Sequence, residues 1–283
     1  MRYLLGIIVL ATNILYANEI KELSYLGNVK DIIISTQKIR GGTYNFLNGS
    51  EFAQFGVYKE RSLQKNYFKS LDKSYNIGGK KLDALFDTLR TQTKSLNKIS
   101  FQLEPIDSFR AYSTLINKMI MTNQEASDSF FKKADASVKV STSIMVDNLI
   151  PLSEGLGKLR GLGSGIIARS YCEDEEVDMM YAYISEIDKN LRSVIKKTKQ
   201  WHKESPKAFT KNMMRKLELV NKEVKAYKLF AKLKVINMKN IKENSNEYFD
   251  KGTSLISKVM ELYHLNENIV KDNLQGSEMA YFN

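Results

Sequence analysis

Apolar side chains recur along this chain in alternating steps of three and four residues, a rhythm that packed helices satisfy and sheets do not. From Val177 the series Met180, Ile184, Ile187, Leu191, Val194, Thr198 and Trp201 keeps it without a break. Phe109, Tyr112, Ile116, Met119, Asn123, Ala126 and Phe130 form a second such seam. Met213, Leu217, Val220, Val224, Tyr227 and Ala231 form a third, and Phe249, Thr253, Ile256, Met260 and Tyr263 a fourth. No period-two run of useful length competes with them. With only 3 Pro and 15 Gly against 43% hydrophobic and 27% charged residues, the composition also argues against collagen-like, disordered and loop-rich β designs.

Breaks fall where helix ends are expected, at Asn48-Gly49-Ser50, Asn76-Ile77-Gly78-Gly79, Glu104-Pro105, Ser205-Pro206 and Asn244-Ser245-Asn246 with Glu247 placed for a capping box. This punctuation gives about eight helices, and packed antiparallel they make an all-α fold of two four-helix bundles, side by side or end to end. Pro151 lies inside a pattern running from about Val138 to Arg169, where it either kinks a long helix or begins a new one.

Little in the chain suggests reaction chemistry. A single cysteine, Cys172, excludes an internal disulfide and a cysteine zinc cluster. The two histidines, His202 and His264, are far apart in sequence and have no constellation to join, so no catalytic, cofactor or metal site is expected and the protein is not read as an enzyme. Cys172 precedes Glu173, Asp174, Glu175 and Glu176, which should raise its thiol pKa; the acidic cluster suits a helix N-terminus. The first residues read as a secretory leader: Met1-Arg2 is a short basic start, Tyr3 to Leu15 an apolar run, and Ala17 a cleavage point. The run is short for a membrane anchor and no later segment rivals it, so residues 18–283 are expected to be periplasmic with no spanning helix. The net charge of +11 favours small anions, acidic partners or anionic lipid heads.

Two segments are alike. Lys38-Ile39-Arg40-Gly41-Gly42-Thr43 and Lys158-Leu159-Arg160-Gly161-Leu162-Gly163 share the form Lys, aliphatic, Arg, Gly at a shift of 120 residues, which suggests two related halves. At about 100° per residue, Arg40 shares a face with Val29, Ile33, Thr36, Thr43, Tyr44 and Leu47, and Arg160 with Leu149, Ser153, Leu156, Gly157, Gly163, Ser164 and Ile167. Both arginines therefore point into a bundle interior. Neither has an acid three or four residues away, so each needs a carboxylate from another helix or an anion from solution. Gly155, Gly157, Gly161, Gly163 and Gly165 fall within one short stretch, although each glycine inside a helix costs roughly 1 kcal/mol relative to alanine. Gly157, Gly161 and Gly165, spaced by four, form a small-residue stripe that admits a neighbouring backbone. Gly163-Ser164-Gly165-Ile166-Ile167-Ala168 also fits a dinucleotide fingerprint, but no strand precedes it.

The segment from Gln37 to Gly49 resembles the first signature helix of the nitrate- and nitrite-sensing (NIT) domain found in bacterial chemoreceptors, sensor kinases and antiterminators. Leu152-Ser153-Glu154 and Gly157 to Gly165 resemble the second, and Tyr248-Phe249-Asp250-Lys251-Gly252-Thr253-Ser254-Leu255-Ile256 is similar to an aromatic, Asp and Thr pattern in a late helix. The resemblance implies a pair of four-helix bundles that binds nitrate or nitrite between helices through Arg40 and Arg160. Thr43, Tyr44, Ser164 and Thr253 are further ligand candidates from the faces they occupy, with core packing or helix back-bonding as the alternative for each.

The leading reading is thus an exported anion-binding and sensing protein. Without a spanning segment, its ligand state would reach the cytoplasm through a membrane receptor, sensor kinase or transporter component. A run of lysines from Lys225 through Lys228, Lys232, Lys234 and Lys239 to Lys242 is either a solvated face or a docking surface for such a partner; nucleic acid is not expected. The competing reading is a non-catalytic interaction protein of the cell envelope whose arginines are paired internally. Export predicts cleavage after Ala17, giving a mature chain that begins Asn18-Glu19. Mass spectrometry of the native protein should find that terminus, and an intact Met1 in a cytoplasmic fraction contradicts it.

Overall fold

A computed structural model describes residues 2–74, 76–238 and 240–280, with side chains described between residues 18 and 275. The expected leader and its cleavage point after Ala17 lie outside the residues whose side chains are described.

The helices are α1 (Arg2–Leu47), α2 (Ala53–Asp72), α3 (Gly79–Ile99), α4 (Pro105–Phe130), α5 (Ala136–Ser143), α6 (Ile150–Arg169), α7 (Asp174–Glu204), α8 (Lys211–Ala231) and α9 (Ser245–Ala280). A π-helical turn, Ile144–Leu149, joins α5 to α6 without a break, and another, Lys232–Ile236, extends α8. The described residues therefore form eight helical rods and no strand, as the punctuation of the sequence indicates. Pro151 neither ends nor begins a rod. Its missing N–H and its ring disturb the preceding turn of a helix, and the wider π turn lies directly before it.

Caps form where polar side chains meet orphaned amides. Glu173 and Glu176 make a reciprocal capping box at the start of α7. At the start of α9, Asn244 Oδ1 accepts from the backbone N–H groups of Asn246 (2.9 Å) and Glu247 (3.1 Å). Pro105 opens α4, a position where an N–H would have no helical partner.

Helix α1 packs on α2 and α4, and α3 on α4. In the other half α6 packs on α7 and α9, and α8 on α9 and α7. The two bundles are joined side by side through α1 and α6, and one apolar core runs through both. Met180, Ile184, Ile187, Leu191, Val194 and Thr198 of the α7 seam are all buried, so the three-four rhythm marks the core face as expected.

The joining contact depends on glycine. A Cβ on Gly161 would stand 3.0 Å from Gly41 Cα and 3.1 Å from the Phe109 ring, and one on Gly165 would enter the Tyr44 ring. Gly157 faces Gln37 and Arg40, so the stripe of three meets α1 along its length with the two helices parallel. Gly155 and Gly163 make room for Ile187 and Tyr248 instead. Gly161→Val should destabilise the protein by about 1–3 kcal/mol or more, because backbone lies in the way. Gly27→Ala, in a helix interior with open space around it, should stabilise by about 0.5–1 kcal/mol. Urea unfolding midpoints check both; equal tolerance at the two positions contradicts the close contact.

Candidate anion site at the α1–α6 contact

Arg40 and Arg160 each precede a glycine of this contact and are buried, at 0% and 1% exposure. Each guanidinium is covered by a phenylalanine from a third helix. Arg40 lies over the Phe109 ring of α4 at 4.9 Å, and Arg160 over the Phe249 ring of α9 at 4.4 Å. The same rings close the glycine gap, Phe109 against Gly161 and Phe249 against Gly41.

One turn beyond each phenylalanine stands a hydroxyl. Arg40 Nη1 donates to Ser113 Oγ and Arg160 Nη1 to Thr253 Oγ1, both at 3.0 Å. Ser113 donates its proton to the Phe109 carbonyl at 2.8 Å, and Thr253 to the Phe249 carbonyl at 2.9 Å. Each hydroxyl thus commits its proton to its own helix and offers a lone pair to the guanidinium. Lys38 pairs with Glu60 at 3.5 Å, and Lys158 with Glu186 at 3.1 Å. The likeness of the two sequence segments therefore extends to their surroundings.

The two units differ in charge. Glu154 of α6, 1% exposed, holds Arg40 in a two-pronged ion pair, Nη1 on Oε1 and Nη2 on Oε2 (3.2 Å for the second). Arg160 has no carboxylate partner among the described residues, and its Nε and Nη2 have no hydrogen-bond partner. The residue of α1 that stands 120 positions before Glu154 is Ile34. Burial pushes the Arg160 guanidinium down from its ordinary value of 12.5 to about 10; the charge of Arg40 acts in the same direction, and Tyr227, Glu154 and Glu60 act against it. That lowering corresponds to about 3 kcal/mol disfavouring the buried cation. Of the two outcomes open to each arginine in the sequence, Arg40 takes a carboxylate from another helix, and Arg160 does not.

A cavity of about 490 Å³ between α1, α2 and α9 reaches the Arg160 unit at Phe249 and Thr253. Lys38, Asn45, Glu60 and Asp250 also line it, and Asn45 Oδ1 is buried with no hydrogen-bond partner. The polar lining mixes the lysines Lys38 and Lys59, the carboxylates Glu60 and Asp250, the amides Asn45 and Asn246 and the Thr253 hydroxyl, which is bonded to Arg160.

Of Thr43, Tyr44, Ser164 and Thr253, the structure brings Thr253 to Arg160. The others turn elsewhere. Tyr44 donates to Glu176, which Arg169 also holds, and burial with that hydrogen bond drives the Tyr44 phenol well above its ordinary range. Ser164 back-bonds to the Gly161 carbonyl at 3.0 Å, and Thr43 is buried beside Tyr112. Glu154, Phe109, Ser113 and Phe249 were not singled out by sequence reasoning as site residues. A signal for three of them was present, since Phe109 with Ser113 and Phe249 with Thr253 repeat an aromatic followed four residues later by a hydroxyl.

Elsewhere, burial first and Glu176 next push the Cys172 thiol up to about 11, as its acidic neighbours suggest. The lysine run is only partly free. Lys228 pairs with Asp188 and Lys232 lies over Tyr181 at 5.8 Å, whereas Lys225 and Lys242 are exposed. Lys239 lies outside the described residues. Among the described residues, no helix is long and apolar enough to cross a membrane.

The fold has a known counterpart. The chain is similar to the solved structure of the NasR transcription antiterminator, with a TM-score of 0.71 over 94% of this chain and 71% of that one, at 12% sequence identity. No protein-family model and no curated protein sequence matches it. The likeness establishes an all-α helical fold shared with that antiterminator.

The two arginines should answer oppositely to removal of charge in anion-free buffer. Arg40→Met leaves Glu154 buried and unpaired and should cost about 3–5 kcal/mol. Arg160→Met removes an uncompensated cation and should raise the melting temperature. Calorimetric melting in a buffer of large, weakly binding anions checks this, and equal losses in both variants contradict the asymmetry.

Proposed function

We propose that the protein binds a small planar oxyanion, nitrate or nitrite, at Arg160 and acts as a sensing component. The observation that carries this reading is a fully buried guanidinium with two unpartnered nitrogens and no carboxylate partner among the described residues, whose phenylalanine cover and hydroxyl partner line a cavity. Burying such a cation alone is costly, and an anion of matching size removes the cost while forming charge-assisted hydrogen bonds. Arginine suits a planar anion because its donors lie in one plane and pair with two oxygens at once. Thr253 fixes one side of the fork, and Asn45 and the cavity stand nearby.

The signature segments support nitrate or nitrite as the ligand. In this reading the two arginines are unequal: Arg160 receives the anion, while the fork of Arg40 is engaged by Glu154, whose charge offsets that of Arg40 across the α1–α6 contact. The internally paired alternative is favoured at Arg40 by the same ion pair, but it leaves Arg160 unexplained. The leader supports a periplasmic location, and transmission through a membrane receptor, sensor kinase or transporter component remains part of the proposal. For docking, exposed Lys225 and Lys242 are better candidates than Lys228, which Asp188 neutralises.

A ligand at a hundred times its dissociation constant stabilises the native state by about 2.7 kcal/mol. In a chain of this size, nitrate should raise the melting temperature by roughly 4–5 °C beyond matched chloride. Arg160→Ala should abolish the shift and keep the helical circular dichroism; Arg160→Lys should restore little of it, since a point charge makes no two-pronged contact. Nitrate does not titrate here, so affinity should be flat near neutrality and fall as the pH rises through about 10, where the free protein's guanidinium loses its proton. Equal shifts with nitrate and chloride, or a shift that survives in Arg160→Ala, sink the proposal.

A further inference from the structure

The two arginine units share a phenylalanine cover, a back-bonded hydroxyl and a neighbouring glycine, and they differ in what fills the guanidinium fork. We propose that the protein carries two anion sites of common design and that Glu154 permanently occupies the one at Arg40, so that a single external oxyanion binds, at Arg160. This rests on the reading of Arg160 as an anion site and adds its stoichiometry and its asymmetry.

A carboxylate is itself a planar oxyanion, and its two oxygens meet the Arg40 fork in the parallel manner that a nitrate ion uses. Glu154 is donated to the Arg40 unit from α6, the helix that carries the other arginine. On α1 the corresponding position holds Ile34, which is half-buried and packs against the core. An aliphatic side chain there cannot neutralise Arg160. One glutamate in one half and one isoleucine in the other therefore divide an otherwise matched pair into a filled site and an open one. The external anion then acts on one side of the molecule, where α9 and α2 border the cavity.

Calorimetric titration with sodium nitrate, against sodium chloride as control, tests this on the whole mature protein, with circular dichroism verifying the fold of each variant. The wild type should bind one nitrate per chain. Glu154→Gln should bind two, and Glu154→Gln combined with Arg160→Ala should bind one. Ile34→Glu, which sets a carboxylate at the position 120 residues before Glu154, should bind none while remaining folded. A folded Glu154→Gln that still binds one nitrate, or an Ile34→Glu that binds as wild type does, overturns the inference and leaves the Arg160 reading intact. If Glu154→Gln folds in nitrate but not in chloride, the anion has replaced the lost carboxylate and the inference is supported. If it folds in neither, Ile34→Glu decides alone: lost binding supports the inference and retained binding overturns it. A wild type that binds no nitrate sinks the Arg160 reading. In that case one nitrate in Glu154→Gln still supports a glutamate-filled site, and none overturns both.

Discussion

Helices α1 and α6 meet at Gly41 and Gly161 with no side chain between their backbones, and the rest of the molecule is arranged around that contact. Glycine inside a helix is unfavourable by roughly 1 kcal/mol each, so a helix with five of them is stable only when close packing compensates. Here three accept α1, one accepts Ile187 of α7 and one accepts Tyr248 of α9, whose hydroxyl donates to the Leu159 carbonyl at 3.1 Å. The approach joins two bundles into one core. It also places two arginines, each next to a contact glycine, where water does not reach them.

Burial makes the charge of each arginine a structural problem, and the two halves meet it differently. At Arg40 a carboxylate and a hydroxyl surround the guanidinium, with an aromatic face beneath it. At Arg160 the hydroxyl and the aromatic face recur without the carboxylate. An aromatic face contributes about 2 kcal/mol or more to a desolvated cation, against a burial cost of several kcal/mol. Under the proposed reading, the ligand supplies what Glu154 supplies to the other half. Binding would then relieve an unfavourable charge rather than add one more favourable contact, which suits a sensor whose two states must differ in stability.

The rods were legible because each is long, amphipathic and closed by recognisable punctuation: Pro105 at the start of α4, Asn244 before α9, the glutamates before α7. The Gly157, Gly161 and Gly165 stripe announced a close backbone contact, and the shift of 120 residues from Arg40 to Arg160 announced the matched halves. The burial of both arginines followed from helical geometry alone. Glu154 escaped because it reaches an arginine on another helix, and no spacing along one chain segment encodes such a pairing. Phe109 and Phe249 were visible only as seam residues, since a core aromatic and an aromatic beneath a cation have the same periodicity. Tyr44 and Ser164 share a face with the arginines, yet small differences in direction send one to Glu176 and the other to its own helix. The lysine run looked uniform in sequence because Asp188, which neutralises Lys228, lies on α7.

Nuclear magnetic resonance of the arginine side chains tests the central claim most directly, because each buried guanidinium gives its own Nε–H signal. The account predicts that saturating nitrate moves the Arg160 Nε–H resonance, with slower exchange against water, while matched chloride leaves it in place. The Arg40 resonance should stay nearly unchanged, held by Glu154. An Arg160 signal indifferent to nitrate at concentrations that saturate any binding would contradict the account.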